Sequence, residues 1–453
     1  MEDIVQLPAS GEVLDIFGQS PRLSRLYTQL CFCFPIPEDT PGVRKEVVDL
    51  LRCGLHSFTS KFPWVAGQVV RDDGLFKIVR LGEVPQLTIQ EHGARMKTYR
   101  ELRQGGFPFS SLDEKEIASR RTLPERLDEP APVLALQITF VDGGVLLTFS
   151  AQHNCMDMAG QCQVIHLFAK ACRGEYFMDE ELRTGCIERR NIIPLLESTP
   201  EYARSAAHDA PNETIHDEVL NAGPQEEGTW SYFLFSAASL TSLKALAIHN
   251  IDSGFVSTDD TVSAFVWKHV TLARRARVHS TGVKSTFERQ VNVRKHLNIP
   301  STYTGNAVHK LSTTATVEDL VCLPLGHIAS RLRSSLEPDA TLGHQAREAA
   351  TALHREVYSQ QHDDTMVNRP KVSSLNIKMS SWAKEKCYEF DFGGVLQKPE
   401  AVRRPNFEGW EGLAYFMPRR LDGEIAVALN LRNDDLERLR LDEEFGKYGR
   451  YVG

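Results

Sequence analysis

The apolar positions of this chain fall into two rhythms. Residues 133–141 (Val-Leu-Ala-Leu-Gln-Ile-Thr-Phe-Val) and 145–150 (Val-Leu-Leu-Thr-Phe-Ser) are short apolar runs separated by Asp142-Gly143-Gly144. That pattern predicts a tight hairpin. Residues 413–417 and 424–429, with Asp422-Gly423 between them, predict a second one near the C-terminus. From 160 to 173, Val164, Leu167, Phe168 and Ala171 recur at helical spacing and Gly174 supplies a stop, so a helix follows the first hairpin. Ser257 or Thr258 stands as a helix cap ahead of Val262, Ala264, Phe265, Val266 and Trp267. Strand-like and helix-like stretches alternate throughout, the pattern of an α/β protein.

The rhythm fades between Pro194 and Gly228, where Pro200, Pro211 and Pro224 stand among many acids. Such a stretch predicts a linker. The expected division is a first domain over 1–205, a crossover linker over 206–228 and a second domain over 229–453.

Composition narrows the class. Hydrophobic residues make up 42% and charged residues 25% of the 453 positions, which excludes disorder over most of the length. The 52 basic and 60 acidic side chains leave a net charge of −8, which argues against a general nucleic-acid binder. No apolar run approaches the ~20 residues that span a membrane. The first residues, Met1-Glu2-Asp3, carry acids where a secretory signal has a basic region. The nine cysteines are scattered, with no paired Cys-x-x-Cys motifs. The expectation is a cytoplasmic protein without a disulfide framework or a metal.

Glycine-rich nucleotide loops, a Gly-x-Ser-x-Gly elbow and a His-Glu-x-x-His motif are all missing from the sequence. What remains is Gln152-His153-Asn154-Cys155-Met156-Asp157-Met158, directly after the second strand of the first hairpin. A strand end turning into a helix can present a side chain to a cleft, and histidine is a natural general base near neutral pH. By itself the pattern also fits a satisfied loop histidine. Three other stretches stand out: Ser380-Ser381-Trp382 followed by Asp391-Phe392-Gly393-Gly394, Val293-Arg294-Lys295 leading to Tyr303-Thr304-Gly305-Asn306, and residues 256–267.

Taken together, the order and spacing of these pieces resemble the BAHD acyltransferases, the coenzyme A-dependent family marked by His-x-x-x-Asp and a later Asp-Phe-Gly-Trp-Gly. The likeness runs from Pro63-Trp64-Val65-Ala66-Gly67 to the last hairpin. It is nearest to the fungal trichothecene 3-O-acetyltransferase branch through residues 153–158, Trp382-Ala383-Lys384, Lys398-Pro399-Glu400 with Val402-Arg403-Arg404-Pro405, and Lys447-Tyr448 with Tyr451-Val452-Gly453. Gly394-Val395 stands where many members have Trp-Gly, and Met158 where a glycine commonly follows the aspartate.

The resemblance implies two similar chloramphenicol acetyltransferase-like α/β domains, each with a central mixed sheet, and a tunnel between them. It implies a monomer that takes acetyl-CoA as cosubstrate and a hydroxylated small molecule as acceptor. His153 matches the general base. Asp157 matches a structural aspartate paired with an arginine, for which Arg294 is the candidate. Asp391 and Gly393 match the second motif, where Asp391 is expected to make a similar charged bond. Ser380 and Trp382 match positions that steady an oxyanion, and Ser257, Thr258 and Ser381 fall where coenzyme A is bound. Two alternatives share the scaffold. A condensation-type domain normally shows a second histidine where Gln152 stands, and a silent binding protein has no need of an intact His153, Asp157 and Ser380.

Overall fold

A computed structural model describes residues 11–81, 87–92, 95–123, 129–197, 228–251, 254–278, 280, 282–336, 339–359 and 375–453. The expected crossover linker lies outside these residues except for Gly228.

The first hairpin forms as the sequence predicts. Leu134–Val141 and Gly144–Gln152 pair antiparallel across Asp142-Gly143, and Gly143 takes a φ of +81° that the turn requires. These strands sit inside a five-stranded sheet whose spatial order is Ala401–Arg403, Tyr27–Pro35, Gly144–Gln152, Leu134–Val141 and Leu87–Glu91. The last pair is parallel and the others antiparallel, so the sheet is mixed. Alternation then sets the faces. Val145, Leu147, Phe149 and Ala151 point into one core with Val164, Leu167 and Phe168 of the helix Met158–Cys172 and with Leu51 and Phe58 of the helix Pro41–Lys61. Thr148, Ser150 and Gln152 lie on the opposite face, where the buried polar residues Gln29 and Glu114 also lie.

The second hairpin forms too, as Leu413–Phe416 and Ile425–Arg432. It belongs to a seven-stranded mixed sheet ordered Val308–Thr316, Lys284–Asn292, Ile377–Ser381, Leu413–Phe416, Ile425–Arg432, Gly228–Phe235 and Gly449–Tyr451. Ile377–Ser381 runs parallel to both of its neighbours. Period two divides this sheet as well. Ile377, Met379, Ala414, Phe416, Phe233 and Phe235 pack with the helices Thr258–Arg274 and Leu325–Ser334 in a second core. Trp230, Tyr232, Leu234, Trp382, Leu413 and Tyr415 pack with the first core. The second sheet is therefore the wall shared by both halves. The first sheet's outermost strand, Ala401–Arg403, also comes from the C-terminal half of the chain. A separate small sheet of Glu12–Val13, Leu75–Arg80 and Gly67–Asp72 packs against the first core through Val69, Phe76 and Ile78.

Candidate active site

The His153 loop is fixed from the backbone outward. Where the strand Gly144–Gln152 ends, His153 N donates to Leu26 O at 2.7 Å, and Cys155 N closes a turn onto Gln152 O at 3.0 Å. The half-buried ring of His153 has Nδ1 at 3.2 Å from Met156 O. A carbonyl only accepts, so the geometry assigns the ring proton to Nδ1 and leaves Nε2 with its lone pair. Burial, with a smaller contribution from the Arg404 charge, holds the ring's pKa below its ordinary value, against the attraction of Asp157. The ring is neutral at physiological pH.

Asp157 caps the helix Met158–Cys172, accepting from Gly160 N at 2.9 Å. Its two oxygens also receive Arg294 in a bidentate pair, Nη1 at 2.8 Å and Nη2 at 2.9 Å, and Ala307 N at 2.8 Å. Arg294 in turn donates to Tyr303 O and Gly305 O. Both side chains are 2% exposed, so the charges compensate each other in a medium that penalises either alone. This clasp ties the first half of the chain to the second immediately beneath His153. Gly160 makes the close approach possible, because a Cβ there would run into the Thr304 carbonyl.

Ser380 and Trp382 alternate onto the face of the second sheet that meets the first core, and Trp382 lies 4.8 Å from the Tyr415 ring. The hydroxyl of Ser380, half-buried, has no hydrogen-bond partner among the described residues. Ser381 points to the other face and donates to Asp259, whose carboxyl burial pushes above its ordinary pKa. Ser257 is the helix cap, and it forms a reciprocal pair with Asp260, Asp260 N donating to Ser257 Oγ at 3.1 Å. Thr258, next to it, borders an open groove of about 350 Å3 that Lys244, Ile248, Arg419 and Gly423 also line.

Asp391 departs from expectation. Among the described residues its carboxylate makes no ion pair with an arginine; it accepts Gly393 N at 2.8 Å in a local turn, while its backbone carbonyl receives Arg173. The carboxylate is engaged within the local turn, where Gly393 N reaches back two residues to it and Gly393 itself adopts a φ of +74°. Phe392 between them is fully buried, in edge contact with Phe32 and Phe34. This segment, read from the sequence as part of the second domain, thus packs in the first core.

Several supporting residues have no role assigned from the sequence, although Asn306 lies in a stretch that stands out there. Asn306 Nδ2 donates to His153 O at 2.9 Å and to Asn154 O at 2.8 Å. Asp15, fully buried, accepts from Tyr303 Oη at 2.6 Å and Asn306 N at 3.0 Å. Arg189 donates to Cys155 O at 2.6 Å and stacks over Trp64. Glu385, three residues beyond Trp382, has its pKa pushed up to about 7 by burial, with the neighbouring Asp157 charge adding to the effect. Among the described residues no group of three His, Cys, Asp or Glu side chains is arranged to hold a metal ion.

Two mixed-sheet units, a His-x-x-x-Asp loop at their junction and an arginine clasping its aspartate define a scaffold for acyl transfer. Residues 26–172 match the family model described as the trichothecene 3-O-acetyltransferase-like N-terminal domain. O-acetyltransferase dmxR13 of Cryptosporiopsis sp. is 43% identical, covering 97% of each chain. Trichothecene 3-O-acetyltransferase TRI101 of Fusarium sporotrichioides is 38% identical, again over 97% of each chain. Its crystal structure with coenzyme A and T-2 superposes with a TM-score of 0.85 over 98% of this chain and 100% of that one. Vinorine synthase shares the fold at a TM-score of 0.62 and 18% identity, covering 97% of this chain and 93% of that one. The chain belongs to the trichothecene 3-O-acetyltransferase-like family of BAHD-type acyltransferases. It is an O-acetyltransferase of that family, with coenzyme A as the carrier of the acyl group.

Proposed function

We propose that the chain transfers acetyl from acetyl-CoA to a hydroxyl of a fungal secondary metabolite, a terpenoid, alkaloid or polyketide, with His153 as general base. The observation that carries this is the bond from Nδ1 to Met156 O, which leaves Nε2 free to accept a proton. In the reaction Nε2 takes the hydroxyl proton as the acceptor oxygen bonds to the thioester carbon, and the carbonyl electron pair moves onto oxygen. Collapse of that oxyanion breaks the C–S bond, and the imidazolium returns its proton to the departing thiolate. A positioned base supplies ~10²–10⁴-fold.

Ser380, whose hydroxyl is unengaged, and Trp382 on the same face are the proposed oxyanion-side groups. Asp157, Arg294, Asp391 and Gly393 are proposed to act structurally, through the clasp and the turn. For coenzyme A, Ser257 and Ser381 spend their hydroxyls on Asp260 and Asp259. They enter the proposal by fixing the helix start, and Thr258 with Lys244 and Arg419 forms a basic groove suited to phosphate groups. The reading includes a monomer in the cytoplasm divided at 1–205, 206–228 and 229–453. No helix among the described residues is long and apolar enough to cross a membrane.

The test is incubation with acetyl-CoA and a panel of hydroxylated terpenoids, alkaloids and polyketides, trichothecene alcohols included, followed by mass spectrometry. A product one acetyl heavier, formed by the wild type and lost by a folded His153→Ala variant, is the expected result. An active His153→Ala enzyme overturns the base assignment, and absence of transfer to every acceptor overturns the function.

A further inference from the structure

Arg404 is 3% exposed, yet among the described residues its guanidinium meets no carboxylate or carbonyl, and its Nε is buried without an acceptor. The other arginines this buried each reach at least one oxygen partner through the guanidinium, although Arg274 and Arg403 also keep buried nitrogens without a hydrogen-bond partner. Arg294 pairs with Asp157, Arg289 with Asp260 and Arg189 with Cys155 O, while Arg274 and Arg403 donate to backbone carbonyls. Arg404 instead rests among aromatic faces, its guanidinium carbon 4.2 Å from the Phe407 centroid, 4.6 Å from Tyr415 and 5.7 Å from Trp382. Aromatic faces tolerate a cation without neutralising it.

Its position is held in advance. Arg404 N donates to Tyr232 Oη at 2.8 Å, and that hydroxyl donates to Arg404 O at 3.1 Å. Tyr415 stands opposite Ser380 in the paired strands, and Trp382 is two residues further on the same face. The guanidinium therefore lies against the two rings that flank Ser380. Its charge is felt at His153 and at Glu114, whose carboxylate accepts from Gln29 Nε2 and Thr122 N and lies outside ion-pairing distance.

We propose that Arg404 is a catalytic residue of the acyl transfer, its guanidinium supplying the fixed positive charge that receives the oxyanion beside Ser380 and Trp382. The proposal rests on the function given above. A cation next to a general base weakens that base, because it repels the imidazolium. The arrangement is favourable only where negative charge appears as the proton arrives on the ring, and the thioester oxygen is the atom that acquires it. The ground-state carbonyl is neutral and gains little, so the interaction belongs to the transition state. Its low-dielectric aromatic setting strengthens it.

Arg404→Met and Arg404→Lys, with wild type and His153→Ala as references, provide the test. Two reactions are followed: transfer to an acceptor, and the slow hydrolysis of acetyl-CoA by water, which passes through the same oxyanion without any acceptor. Arg404→Met is expected to lower both rates by about 10²–10³-fold, with coenzyme A affinity unchanged and the acid limb of the rate moved up toward the ordinary histidine value. Arg404→Lys, which keeps the charge and the limb, is expected to recover part of both rates and remains informative if the methionine variant does not fold. Hydrolysis at the wild-type rate with slowed transfer would overturn the proposal and make Arg404 a reader of the acceptor. So would wild-type rates in both reactions, which leave His153 as the base if His153→Ala is inactive.

Discussion

The proton on Nδ1 of His153 decides how the rate should follow pH. Only the neutral ring accepts a proton, so activity is lost as pH falls through the folded pKa. Burial places that pKa below the ordinary ~6.5. The acid limb is therefore expected below 6.5. Glu385 complicates the profile, since its carboxyl protonates near 7, within the range where His153 is still neutral. Its charge at alkaline pH lies near Asp157 and Arg294, so it belongs to the same electrostatic neighbourhood. Glu385→Gln is expected to remove any second inflection near 7 and to leave the lower limb in place, as read from kcat/KM profiles of the two enzymes. A single wild-type limb at 7 that disappears in Glu385→Gln would show that the carboxyl, and not the imidazole, governs the rate.

At the scale of elements, two aspartates that look equivalent in the sequence are held very differently. Asp157 caps a 15-residue helix, closes a bidentate pair with Arg294 and binds Ala307 N. Removing one partner of a buried pair of this kind costs ~3–5 kcal/mol. Asp391 contributes one carboxylate hydrogen bond to a turn, worth ~1 kcal/mol. Asp157→Asn is expected to lower the melting temperature far more than Asp391→Asn, and equal losses in thermal melts would contradict the assignment. In the Asp391 turn the glycine matters more than the acid. Gly393 sits at a φ of +74° and a Cβ would press on Arg173 Cγ at 2.9 Å. Gly393→Ala adds a left-handed penalty of ~1–2 kcal/mol to that crowding, so it should melt below Asp391→Asn. The two hairpins, the helix after His153 and the helix start at Ser257 or Thr258 were legible because each is a local pattern of period or turn chemistry. The Asp391 turn misled because its likeness to a motif says which residue is present and not which of its atoms is engaged.

Other parts of the molecule leave no local trace. Asn306 and Asp15, which hold the His153 loop, are ordinary polar residues 291 positions apart. Nothing local in the sequence marks Arg404 as a buried cation, and only the approach of Phe407, Tyr415 and Trp382 shows its setting. The strand Ala401–Arg403 is three residues long, too short for a period to register, yet it forms the edge of the first sheet. That crossing has a consequence for folding. Residues 11–197 supply four of the five strands of the first sheet. The core also needs Phe392, Tyr388, Trp382 and Val402 from the far end, as well as Trp230 and Tyr232. Each buried aromatic or aliphatic side chain contributes ~1.5–3 kcal/mol, and a fragment that lacks several of them loses more than the ~5–15 kcal/mol a domain has in total. A chain cut to residues 1–227 is therefore expected to lack a cooperative melt, and its uncovered apolar face should bind a hydrophobic dye. Co-expression with residues 228–453 should restore both the melt and His153-dependent transfer. A sharp thermal transition from the 1–227 fragment alone would show that the first core closes without the returning segment.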